Sequence, residues 1–173
     1  GYAKATVNPG QGVGLGGYGN AKERTSQVVL DDLYLTCTAI SDGENVFLFY
    51  AADLEGLGGS NISIALKQLD KAYEINTDNV FFNITHSDSS PGMQTTSFAN
   101  GVKYCQIFYK AAVDSAGIAL RDLESATVSY GSANTEGLNY VRRYVSLVDG
   151  SPVSKNVSAG QNPTRVAHES EPD

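Results

Sequence analysis

The sequence predicts an α/β fold: a mixed sheet containing a βαβ unit, with flanking helices, reading as the first part of a larger domain. Three observations predict it. Val46–Ala52 is a continuous apolar run, as buried strands show. Behind Ser60, a candidate N-cap, Ile62, Ala65, Leu66, Leu69 and Tyr73 recur at helical spacing. Val80–Ile84 is a second short apolar run. Strand, helix and strand in that order form a βαβ unit, with parallel strands and a right-handed crossover.

The other elements follow in order. Tyr2–Val7 alternates weakly and reads as a short strand. Leu33–Ile40 reads as a strand pairing antiparallel with Val46–Ala52 across the turn Ser41-Asp-Gly-Glu-Asn45. Asn100–Leu123 reads as a long helix with Tyr104, Cys105, Phe108, Ala112, Ala116 and Leu120 along one side, an aromatic stripe suited to core packing rather than to a cofactor. Ala126–Tyr130 and Tyr144–Val148 read as further strands, the latter closed by Asp149-Gly150. Residues 1–150 are thus expected to form the α/β part. Residues 151–173, rich in Pro, Ser, Asn and Gly, read as an irregular loop or tail that looks interrupted.

Composition narrows the functional classes. The 173 residues carry a formal charge of −7, with 41% hydrophobic and 18% charged residues, enough to bury a core. No stretch clusters Lys and Arg, which argues against a nucleic-acid-tracking surface and against attraction to anionic membranes. No apolar run is long enough to span a bilayer. The chain begins at Gly1 without a signal-peptide pattern and is expected to be a processed form or a piece of something longer. Abundant Ser, Thr, Asn and Gly suit a secreted protein. Of the sequons at Asn61, Asn83 and Asn156, the last lies in a loop and is the expected glycan site, whereas Asn83 lies inside an expected buried strand. Cys37 and Cys105 lack redox or metal spacing and read as buried free thiols.

Two segments carry candidate chemistry. Asn8–Asn20 is glycine-rich and contains Gly12-x-Gly14-x-x-Gly17, a formal dinucleotide fingerprint, but no capped helix follows it. The expected role is instead close approach of backbone to a ligand or to another loop. His86, one of two histidines, stands where the apolar run Val80–Ile84 breaks into Thr85-His-Ser-Asp-Ser-Ser-Pro-Gly92. That places it, with Asp53, beyond the carboxyl ends of parallel strands, where open α/β sheets carry their sites. A histidine there either hydrogen-bonds its own loop or takes part in chemistry.

Several segments, in order, resemble the neutral/alkaline non-lysosomal ceramidase family. Val13-Gly-Leu-Gly-Gly-Tyr-Gly19 resembles its early Gly-Tyr-Gly loop, and Asp32-Leu-Tyr34 with Ser41-Asp-Gly43 its Asp-Pro-Leu-Tyr strand and turn. Ala52-Asp-Leu-Glu-Gly-Leu57 resembles the strand ending in Asp-Leu-x-Gly. Thr85–Gly92 resembles the signature Thr-His-Thr-His-Ser-Gly-Pro-Gly, and Asn139-Tyr-Val-Arg-Arg-Tyr144 the Arg-Arg-Tyr segment. The resemblance implies the amino-terminal portion of a zinc-dependent amidase that hydrolyses a lipid amide or another small amide. It makes His86 a zinc ligand and Arg142 the contact to substrate or oxyanion, with Arg143 as the alternative. Asp88 stands where the family has a second histidine, and Ser90 replaces a glycine. The family's other zinc ligands lie beyond the end of this chain, and His168 does not match them. Catalytic zinc takes three protein ligands, so Asp53 and Asp88 would have to converge on His86 to complete a set here. The alternative is a non-enzymatic binding or self-assembling subunit that keeps the fold, partnered by a second copy or a complementary fragment.

Overall fold

The computed structural model describes residues 1–18, 24–94 and 98–134, together with the backbone of three short strands further on. It divides into two units, Gly1–Ala126 and Thr127–Asp173. In the first, β1 (Tyr2–Thr6), β2 (Tyr34–Ser41), β3 (Val46–Ala52) and β5 (Val80–Ile84) form one sheet in the order β1-β2-β3-β5. β1, β2 and β3 pair antiparallel, and β5 joins β3 in parallel, with Tyr50 opposite Phe82 and Ala52 opposite Ile84. A parallel pair needs a crossover, and α1 (Gly59–Tyr73) provides it. The predicted mixed sheet, hairpin and βαβ unit are all present. α1 starts two residues earlier than an N-cap at Ser60 would have it, with Gly58 at the N-cap and no side-chain cap.

The side-chain alternation of the strands sends Leu35, Cys37, Ala39, Leu48, Tyr50 and Ala52 to one face, where all are buried. α2 (Gly101–Arg121) lies against β1 and β2 on that face, and α1 packs on α2. Small residues permit this closeness: a Cβ at Gly117 would stand 2.3 Å from the Tyr73 hydroxyl of α1. Tyr104 and Phe108, both fully buried, anchor α2 as core residues, in agreement with the stripe seen in the sequence. Phe82 stacks on Tyr50 at 4.6 Å between ring centres and meets Phe108 at 6.2 Å, while the Tyr50 hydroxyl donates to the Ala112 carbonyl at 2.8 Å.

The opposite face corrects one expectation. The apolar runs suggest strands buried on both sides, but Phe49 (42% exposed), Phe81 (48%) and Asn83 face outward. Among the described residues the last strand of the sheet, β5, is paired on one side alone. Asn83 is therefore on an exposed face, not inside a buried strand. Asn61 shows the reverse: it is fully buried, its amide donates to the Met93 carbonyl at 2.7 Å, and its carbonyl oxygen accepts from Tyr109 and Cys105. No glycan can attach there in the folded chain. Both cysteines are free and buried, and burial pushes the Cys37 thiol up to about 11 and the Cys105 thiol in the same direction, so neither is a ready nucleophile.

Ala126–Tyr130 is not a strand. Among the described residues it joins no ladder, and Val128 and Tyr130 are largely exposed, because residue preference alone does not make a strand without a neighbour to bond. In the second unit, β7 (Arg143–Ser146) pairs antiparallel with β8 (Pro152–Ser154) and β9 (Val166–Glu169). Two short strands thus arise in the segment that reads as irregular, one of them containing His168.

Candidate functional site

The site grows from the parallel pairing of β3 and β5. The two chains leave the sheet side by side, so the loops beyond their carboxyl ends bond to each other. The Thr85 amide donates to Ala52 O at 3.0 Å and the Ser87 amide to Leu54 O at 3.2 Å. Two short strands, β4 (Gly56–Leu57) and β6 (Gly92–Met93), then pair in parallel and close the far end of the same loops. Asp53 is consumed in this scaffolding. Its carboxylate accepts from the Tyr34 amide at 2.9 Å and from the Thr85 hydroxyl at 3.2 Å, so it fastens β2 to the β5 loop.

His86 sits between these anchors with φ of 55°, in the left-handed region. Histidine tolerates that region better than most residues, yet such backbone costs on the order of 1–3 kcal/mol and persists only where surroundings enforce it. Its ring is exposed, and Nδ1 lies 2.6 Å from the Glu55 carbonyl oxygen. A carbonyl only accepts, so Nδ1 carries the proton of the neutral ring and Nε2 keeps its lone pair. This is the arrangement by which proteins present a histidine to a metal.

The glycine-rich loop closes against this turn. The Gly16 amide donates to Ser90 O at 2.8 Å, and the Ser89 amide returns to Gly16 O at 3.2 Å. A Cβ at Gly16 would stand 2.5 Å from the Glu55 carboxylate, and one at Gly17 (φ 84°) would stand 2.3 Å from the Asp88 carboxylate. The loop's glycines thus serve close approach of backbone to another loop, as expected. Ser90 is buried and its hydroxyl donates to Ser87 O, tightening the same turn.

The predicted site residues therefore fare differently. His86 and Asp88 share one turn at the carboxyl edge of the sheet, with Asp88 exposed. Arg142 lies outside the described residues. Among the described residues no group of three or more His, Cys, Asp or Glu is placed to hold a metal ion. His86, Asp88 and Asp53 do not make a three-ligand set, and by themselves these residues do not fit a zinc ion. They supply one well-prepared donor. Sequence reasoning missed Glu55, whose carbonyl sets the His86 tautomer and whose carboxylate accepts from Gln94. It also missed Arg24, which joins the two loops. No local pattern marks either residue, since both act across long chain separations. No helix among the described residues is long and apolar enough to cross a membrane.

No family model matches the sequence, and no curated protein matches it either. Solved structures do. The crystal structure of neutral ceramidase from Pseudomonas aeruginosa matches with a TM-score of 0.59 and 19% identity over 70% of this chain. A ceramidase described as complexed with C2 matches with a TM-score of 0.58 and 19% identity, again over 70% of the chain. The chain spans about a fifth of the length of those proteins, 21% and 20% respectively. At that identity the likeness is one of fold: this chain is built on the fold of a part of neutral ceramidase.

Proposed function

We propose that the chain is a portion of a zinc-dependent, ceramidase-like amide hydrolase, acting by water attack on the amide of a lipid-like substrate and inactive by itself. The observation that carries this reading is the tautomer of His86, held by the Glu55 carbonyl at 2.6 Å with Nε2 left as a donor, in a chain with this fold. The remaining donors would come from residues outside those described, so no catalytic step is routed through the metal. The roles left to this chain are to hold Nε2 of His86 in place, to offer the Asp88 carboxylate for orienting a water, and to supply Arg142 for the oxyanion. The last role rests on the Arg-Arg-Tyr segment alone. Zinc analysis and amide hydrolysis by the longer gene product test the proposal. Bound zinc with turnover would support it; a complete protein with neither would sink it.

Asp88 invites a direct check. Asp88→His in the longer protein restores the second histidine of the signature on a side chain that is exposed. The expected result is retained zinc, measured by elemental analysis; complete loss would mean that Asp88 itself is an essential ligand. We also propose export to the cell exterior with a glycan at Asn156, which a mass decrease on enzymatic deglycosylation of the secreted protein would verify and an unchanged mass would refute.

A second reading has its own observation. Phe49 and Phe81 stack at 5.0 Å on the exposed face of the sheet, the face that also carries the exposed Ile40, opposite Phe47. An exposed aromatic face on a sheet whose last strand has one partner among the described residues suits a non-enzymatic subunit that associates through the sheet. Size-exclusion chromatography with light scattering discriminates: a strictly monomeric chain counts against self-assembly.

A further inference from the structure

We propose that Arg24 is a positioning residue for His86, clamping the glycine loop to the histidine turn so that the imidazole keeps its Nδ1–H tautomer. The inference rests on His86 as the functional donor. Arg24 donates from Nη1 to the carbonyls of Gly16 (3.3 Å) and Gly17 (3.0 Å), and from Nη2 to the Ser89 hydroxyl at 2.6 Å. One planar guanidinium thus spans both loops, a geometry that its fixed fork of donors allows and a lysine ammonium does not. The group also lies over the Tyr18 ring at 4.9 Å, which gives it a second anchor.

The need for a clamp is visible in the backbone. His86 and Ser89, three residues apart, both hold left-handed φ angles of 55° and 62°. Such a pair relaxes unless neighbouring bonds oppose it. His86 is exposed, and among the described residues the bond that orients its ring is the one to Glu55 O. That bond requires the turn to stay where it is. Among the described residues, the links from the glycine loop to the turn are the Gly16–Ser90 backbone bond, which belongs to the Leu15–Pro91 bridge, the Ser89–Gly16 backbone bond and the Arg24 fork. Of these, the fork is the one made by a side chain, and so the one a substitution can remove cleanly.

The test is the tautomer itself, read on the ¹⁵N-labelled 173-residue chain without metal. Long-range ¹H–¹⁵N spectra about two pH units above the ordinary imidazole pKa separate protonated from unprotonated ring nitrogens. His86→Ala assigns the signals, since the chain has two histidines. The wild-type chain is expected to show His86 with Nδ1 protonated and Nε2 not. Arg24→Gln is expected to move both nitrogens toward the mixture of free histidine, in which Nε2–H predominates, and Arg24→Lys to restore the wild-type pattern in part at most. Ser89→Ala removes one arm of the fork without touching Arg24 and is expected to shift the signals in the same direction, which keeps the test sound if Arg24→Gln fails to fold. Unchanged nitrogen shifts in a folded Arg24→Gln chain, or in Ser89→Ala where the former does not fold, would overturn the proposal. A wild-type His86 protonated at Nε2 would instead refute the donor reading on which it stands, whatever Arg24 does.

Discussion

Replacing Phe108 by alanine is expected to destabilise the chain by about 3–5 kcal/mol, the usual cost of deleting a buried aromatic side chain. Phe108 is fully buried on α2 and meets both Phe82 of β5 and Tyr109, at 6.2 Å each between ring centres. The cavity would open where α2 lies under the βαβ unit. The neighbours have little room to collapse into it, since the Tyr50 hydroxyl is tied to α2 at the Ala112 carbonyl and Tyr50 is stacked on Phe82. A domain of this size has about 5–15 kcal/mol of stability in all, so roughly a fifth or more of it would be lost. The measurement is the urea midpoint with its slope held in view. A shift worth less than about 1 kcal/mol would mean that the core is looser than its rings suggest.

The second large effect falls on function and not on folding. His86→Ala is expected to change stability by no more than about 1 kcal/mol, the worth of one exposed hydrogen bond, because the residue is exposed and its ring bonds a single backbone carbonyl among the described residues. In the longer protein the same change should lower zinc affinity and amide hydrolysis by at least about a hundredfold, given that removing even an outer partner of a metal-bound histidine costs roughly 10–100-fold. Zinc content after dialysis and hydrolysis of an amide substrate read this out. A variant that keeps both would show that His86 merely bonds its own loop. A variant that unfolds would show that the Glu55 bond holds the loops together.

The gap between these two residues shows how far the sequence could be read. Phe108 was legible as core because Tyr104, Phe108, Ala112 and Ala116 repeat at the helical period, and that period survives in α2. His86 was legible as a residue at a strand end because an apolar run gives way to Ser, Asp, Pro and Gly at that point. Ala126–Tyr130 carries a similar pattern and forms no strand, since strand formation needs a partner that pattern does not provide. The apolar runs of β3 and β5 were equally ambiguous. They do not reveal whether one face or two are covered, and here Phe49 and Phe81 remain on the open face.

Local regularities therefore sufficed for the order of β1, β2, β3, α1, β5 and α2, the hairpin, the βαβ unit and the edge of the sheet where His86 stands. Periodicity and turn residues act between near neighbours, and near neighbours are what a sequence displays. Folding in three dimensions was needed to show how the His86 ring is held: by the Glu55 carbonyl, 31 residues away in the chain, on a turn that Arg24 fastens across 65 residues to Ser89. Hydrogen bonds over such separations depend on strand register and loop approach to within a few tenths of an ångström, and no pattern of neighbouring residues encodes that distance.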